Sequence, residues 1–182
     1  MNILPLEIPD VKVVEPRVHG DSRGYFLETW SKQKFDDAGI YYDYVQDNLS
    51  RSSQGILRGL HYQIQMSQGK LVRCTRGEVF DVAVDLRRSS DTFGKWVGIL
   101  LSEENKRSIW IPPGFAHGFL VMSEIADFQY KCTDAYAPEH ERTICWDDPD
   151  IGIVWPLEHG RIPVVSDKDN AGCSFKDAEV YE

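Results

Sequence analysis

Basic residues are in deficit in this chain of 182: 20 Lys and Arg stand against 29 Asp and Glu, a formal net charge of -9. Such a field disfavours non-specific nucleic-acid binding, and an anionic ligand would need a local cluster of cations working against it. Cysteine is sparse as well. Cys74, Cys132, Cys145 and Cys173 lie far apart with no C-x-x-C pair, which argues against a zinc site and against a disulfide framework. No apolar window approaches membrane-spanning length, so no membrane partner is expected. Met1 to Asp10 carry neither a basic start nor a long apolar run, so no secretory signal is expected and a cytoplasmic location follows. A Gly-rich dinucleotide fingerprint is missing too. With no repeat, low-complexity tract or linker, residues 1–182 read as one domain, long enough to bury a core without staples.

Helical patterning is equally scarce. Ser31 to Ala38 predicts one short helix, capped by Ser31 and ended by Gly39, and Glu103 to Arg107 a second turn. What the chain has instead is strand. Gly24–Trp30, Leu71–Thr75, Glu78–Leu86, Lys95–Leu101 and Ser108–Ile111 are short and rich in β-branched and aromatic residues. Alternation in the longest run puts Phe80, Val82, Val84 and Leu86 on one face and Asp81 and Asp85 on the other. Many short strands separated by turn residues predict an all-β sandwich or barrel, a jelly roll above all. The last fifteen residues are polar and read as loosely packed.

Two stretches carry chemistry. In Gly55–Gln63 an arginine, Arg58, and a histidine, His61, stand three apart in a strand-like segment. A regular strand would send them to opposite faces, so both serve one site only if Gly59 marks a kink or bulge. Imidazole suits proton abstraction near neutrality, and guanidinium suits phosphate. The second stretch, Pro112 to Gly118, has the spacing Pro-x-Gly-x-x-His and delivers His117 to the start of a strand. On the residues alone, Tyr130 reads as a core aromatic with a wet hydroxyl and Lys70 as a turn lysine. Asp169 then reads as part of a solvated loop, and His117 as the cap of its own turn. His19, His140 and His159 have no constellation around them and read as exposed.

The spacing around His117 resembles the second motif of the cupin superfamily, whereas the first motif is met only in part. Gly55 and His61 match, but Gln63 stands where a second histidine would be and no Glu follows at positions 66–68. Two metal ligands are thereby missing, so a metal-free cupin pocket is expected, and a metal-dependent oxygenase is disfavoured.

With those residues placed, the chain resembles the dTDP-4-dehydrorhamnose 3,5-epimerase family of the rhamnose pathway. The matching segments are Asp21–Glu28, Gln46–Asn48, Gly55–His61, Gly69–Arg73, Gly77–Asp81, Pro112–Gly118 and Tyr130–Lys131, in order over nearly the whole chain. The resemblance implies a cupin-type jelly roll that needs no cofactor. It implies His61 as base with Asp169 (Asp167 competing) orienting it, Tyr130 as acid on the opposite face of the sugar, and Lys70 at the 4-keto oxygen. It implies Arg23, Arg58, His117 and Lys168 as diphosphate or sugar contacts. Phe26, Glu28, Gln46, Asn48 and Glu141 (Glu139 competing) would complete the pocket. The implied partner is a dTDP-linked 4-keto-6-deoxy sugar, and the implied assembly a homodimer whose N-terminal strand reaches into the neighbour. Two alternatives stay open: an epimerase acting at C5 or C3 only, and a non-catalytic jelly roll that binds carbohydrate or nucleotide.

Overall fold

The computed structural model describes residues 1–157 and 161–182, so His159 lies outside the described residues. In chain order the elements begin with β1 (Asn2–Pro5), β2 (Lys12–Glu15), β3 (Val18–Asp21), β4 (Gly24–Leu27) and helix α1 (Lys32–Asp37). Strands β5 (Gln46–Ser53), β6 (Leu57–Gln63), β7 (Lys70–Arg76), β8 (Glu78–Asp85) and β9 (Trp96–Ser102) follow. Then come β10 (Ser108–Ile111), β11 (Phe115–Val121), β12 (Ile125–Cys132), β13 (Glu141–Thr143) and the short helix α2 (Asp167–Asn170). One sheet runs β1-β2-β10-β7-β12-β5, a second β13-β6-β11-β8-β9, and β3 and β4 form a separate hairpin. Every strand pair in them is antiparallel. From β5 onward the chain steps from one sheet to the other at almost every turn, the β8–β9 hairpin excepted. That crossing produces the non-sequential strand order of a jelly roll, as the strand-rich sequence predicts.

The space between the sheets is filled from both sides. Val72, Cys74, Ile109, Ala126 and Phe128 from one sheet meet Val79, Ala83, Leu101, Phe119 and Val121 from the other. Phe119 and Phe128 stack across the gap with ring centroids 3.9 Å apart, a contact worth about 0.5–1.5 kcal/mol beyond the area it buries.

Both outer faces are covered as well. Helix α1 buries Phe35 with Leu71 and Trp110 on the first sheet. Its i,i+4 bonds Lys32–Asp36 and Gln33–Asp37 support the solvent side, and Gly39, at φ +79°, ends it. Ser31 occupies the N-cap position but its side chain makes no cap bond, contrary to expectation. Glu103–Asn105 form a turn and not a helix.

The second sheet is covered by the chain that follows β13, and here one expectation is overturned. Phe175, Val180 and Tyr181 pack on the cluster of Leu57, Leu60, Tyr62, Val82 and Val84, so the last fifteen residues are not loose. Tyr62 Oη donates to the Glu179 carbonyl, 2.6 Å away, which fixes the same tail. Asp81 and Asp85 lie on the face opposite Phe80, Val82, Val84 and Leu86, as the alternation predicts, and that face is the inner one. Because β8 is central and covered on both sides, both carboxylates are buried and each finds its own partner. Asp85 takes Arg87, Ser90 and Thr92; Asp81 takes His117.

Candidate active site

The predicted irregularity at Gly59 exists. Between the cross-strand pairs His117–His61 and Phe119–Arg58, β6 carries one residue more than β11. The parity of β6 therefore changes. Leu57, Leu60 and Tyr62 all pack on the outer cluster, whereas Arg58 and His61 turn to the inner side. Gly59 is required there: its φ is +132°, and a Cβ would lie 2.5 Å from the Gly118 Cα.

His61 is held by Asp169, whose Oδ1 bonds the imidazole Nε2. Asp169 belongs to α2 and is only 3% exposed, so the solvated-loop reading fails and Asp167 is not the partner. Ser166 caps α2 by accepting from the Asp169 amide at 3.1 Å, which aims the carboxylate inward. Burial alone would raise the Asp169 carboxyl. The bond to His61, with Ser166 and Lys168 assisting, outweighs it and holds the group below the ordinary carboxylate range.

A cleft of about 410 Å3 opens in front of His61, at the end of the sandwich where β5, β7 and β13 begin and β6 and β12 finish. His61, Gln63 and Glu141 come from one sheet; Gln46, Asn48, Lys70 and Tyr130 come from the other. The imidazole and the phenol thus stand on opposite walls. Burial pushes the Tyr130 hydroxyl above its ordinary range, with Cys132 and Glu141 adding and Arg58 opposing, so it is a protonated phenol at neutral pH. Burial pulls the Lys70 ammonium down, although Cys132, Asp81 and Glu141 favour its charge. A phenol, a half-desolvated ammonium and a carboxylate-bound imidazole around one cleft are suited to moving a proton next to a carbonyl.

Glu141, and not the exposed Glu139, lines the cleft. It forms an ion pair with Lys168 and accepts from Tyr136 Oη at 2.8 Å. Burial would raise its carboxyl, but those two bonds hold it low. Gln46 Nε2 donates to Asn48 Oδ1, and Gln46 Oε1 accepts from the Tyr136 amide. Arg58 sits beyond Tyr130, bonded to Ser52 Oγ.

Seven predicted residues do not line the cleft. Asp169 and Lys168 reach it only through His61 and Glu141, Arg58 is bonded to Ser52, and the other four are His117, Arg23, Phe26 and Glu28. His117 is 7% exposed and buried against Asp81 at 2.9 Å. It stacks on Phe128, with ring centroids 6.0 Å apart, and is the cross-strand partner of His61. Burial pushes the His117 imidazole down and the Asp81 carboxyl up. Arg23 and Phe26 sit on the β3–β4 hairpin, the Arg23 side chain 87% exposed and bound to Asp21, and Phe26 71% exposed. Glu28 follows that hairpin and pairs with Lys34. Within one chain these three do not approach His61.

Tyr136, Gln68 and Gln63 line the cleft without having been singled out as functional. Tyr136 sits in a segment with no periodic signal, so nothing in the sequence marks it. Gln63, at the missing-histidine position, has both ends of its amide engaged by backbone groups. Among the described residues no group of three or more His, Cys, Asp or Glu side chains is arranged to hold a metal ion. No helix among them is long and apolar enough to cross a membrane.

Comparison with known proteins places this geometry. The family model described as dTDP-4-dehydrorhamnose 3,5-epimerase matches residues 5–177. The dTDP-4-dehydrorhamnose 3,5-epimerase of Pseudomonas aeruginosa is 59% identical over 182 residues, covering 100% of this chain and 99% of the relative. The crystal structure of dTDP-6-deoxy-D-glucose-3,5-epimerase from Legionella pneumophila, in complex with dTDP-4-keto-L-rhamnose, superposes with a TM-score of 0.94 at 51% identity. It covers 98% of this chain and 94% of its own. ChmJ, a 3'-monoepimerase from Streptomyces bikiniensis in complex with dTDP-quinovose, gives 0.87 at 34% identity, with 94% and 86% covered.

Proposed function

The chain belongs to the dTDP-4-dehydrorhamnose 3,5-epimerase family, and on that premise we propose that it inverts C3 and C5 of dTDP-4-dehydro-6-deoxy-D-glucose, giving dTDP-4-dehydro-L-rhamnose. The observation that carries the reading is the placement of His61, held by Asp169, and Tyr130 on opposite walls of one cleft. Each inversion removes a proton from the carbon beside the C4 ketone and returns one to the other face. His61 Nε2 donates its hydrogen to the Asp169 carboxylate, so the other ring nitrogen, Nδ1, is the one free to take the substrate proton. The carboxylate then stabilises the imidazolium. The electron pair moves into the enolate, whose oxygen gains charge beside the Lys70 ammonium. Tyr130 gives its proton to the opposite face, and exchange with water resets both groups. The electron pair stays on the sugar throughout, so the reaction calls for no redox cofactor.

Arg58, Lys168, Gln46, Asn48 and Glu141 serve in this reading as sugar and diphosphate contacts, the cations working locally against the acidic whole. Arg23, Phe26 and Glu28, remote from their own cleft, act in the site of a second copy, the hairpin reaching across a two-fold axis. His117, the cross-strand partner of His61, belongs to the same set of diphosphate or sugar contacts as Arg58. A monomer that turns over at the full rate would remove the homodimer from this proposal. A cytoplasmic setting belongs to the same reading and accords with four free thiols.

Proton NMR of dTDP-4-dehydro-6-deoxy-D-glucose with the purified protein in deuterium oxide tests the reaction. Deuterium is expected at both C3 and C5, and an NADPH-dependent reductase added afterwards should yield dTDP-L-rhamnose. Exchange at one carbon would make the protein a single-position epimerase, the activity ChmJ's name states. Exchange at neither would point to another nucleotide sugar as substrate or to a binding protein.

A further inference from the structure

The segment 134–137, which carries Tyr136, has neither helix nor strand to satisfy its backbone. Three glutamine side chains do so instead. Gln68 Nε2 donates to the Asp134 carbonyl at 2.9 Å. Gln63 Nε2 donates to the Ala135 carbonyl at 3.2 Å, and its Oε1 accepts from the Ala137 amide at 2.9 Å. Gln46 Oε1 accepts from the Tyr136 amide at 2.9 Å. Four consecutive residues are thereby tied to β5, to β6 and to the loop after β6.

Gln63 is the centre of this arrangement. It is 4% exposed, two residues beyond His61 on the same strand face. A second bond from Nε2, to the Met66 carbonyl at 2.8 Å, ties in the loop after β6. Tyr181 Oη holds the Gln63 carbonyl from the outer side. Only a neutral amide offers two donors and an acceptor at this spot: a carboxylate has no donor, and an apolar side chain has neither. The consequence runs to the reacting wall. The placed Tyr136 bonds Glu141, Glu141 pairs with Lys168, and Lys168 precedes the Asp169 that holds His61.

We infer that Gln63 is a positioning residue, holding the 134–137 segment so that Tyr136 and Glu141 form one rigid side of the substrate cleft. The inference rests on the epimerase reading for its kinetic consequence but not for its geometry.

Two measurements test it. In the wild-type protein, hydrogen exchange followed by NMR should find the Tyr136 and Ala137 amides protected to the level of neighbouring strand amides. Exchange at the rate of an open loop would overturn the clamp with no variant needed. In kinetics, Gln63→Leu should raise KM about tenfold, the effect of one misplaced hydrogen bond, with kcat changed far less. Tyr136→Phe should produce a similar rise, and the double variant should be no worse than either single one, because both remove the same contact. Additive effects, or an unchanged KM in a folded Gln63→Leu protein, would overturn the assignment. A wild-type protein inactive on the nucleotide sugar would instead remove the reaction and leave the exchange result to judge Gln63.

Discussion

A buried carboxylate beside an imidazole fixes the ring's tautomer and stabilises the cation that forms when the ring takes a proton. Asp169 is placed to do both for His61. Asp169→Asn keeps the shape and removes the charge, so kcat is expected to fall by about 10^2 to 10^4-fold while KM changes little; an unchanged kcat in steady-state assays would contradict the role. Stability gives a second readout. The folded-state pKa of Asp169 lies below its ordinary 3.8, so its contribution is complete above that value and is lost as pH falls through the lower folded one. Acid titration by circular dichroism should therefore find Asp169→Asn less sensitive to pH below about 4 than the wild type. Sequence alone could not reach this residue, because the partners lie 108 positions apart and the burial of Asp169 comes from contacts made only in the fold. His61, by contrast, was legible from its motif. His117 was legible as a turn-delivered histidine, but not as one buried on Asp81.

At the scale of elements, Gly59 was the most informative position in the chain. Strand parity forces Arg58 and His61 apart unless a residue is inserted, and the insertion is there between the pairs His117–His61 and Phe119–Arg58. Strands with dense β-branched sequence, such as β8 and β10, were readable almost to the residue. The polar strand β5, Gln46–Ser53, was not, because its pattern of exposed and half-buried residues belongs to a sheet edge with no apolar periodicity. The predicted strand Gly24–Trp30 stops at Leu27, since only the hairpin partner Val18–Asp21 extends its ladder. Helix α2 was invisible for another reason. Four residues carry no helical period, and what holds them is a Ser166 cap and a bond to another element.

For the whole molecule, the two-sheet architecture is itself the catalytic device. A reaction that inverts carbon needs opposed donors and acceptors, and a sandwich supplies two walls whose separation is set by a packed core. His61 stands on β6 of one sheet and Tyr130 on β12 of the other, while the stacked Phe119 and Phe128 hold the sheets together beneath them. The jelly roll was legible from strand density, but the facing of these two residues depends on a strand order no single stretch encodes. The division of labour is open to one direct measurement: NMR of the nucleotide sugar in deuterium oxide with His61→Ala and Tyr130→Phe, scoring proton exchange and inversion separately. With one base and one opposed acid, His61→Ala should lose both, whereas Tyr130→Phe should keep wash-in of deuterium and lose inversion. Exchange that survives His61→Ala, or inversion that survives Tyr130→Phe at the wild-type rate, would contradict the opposed-wall mechanism.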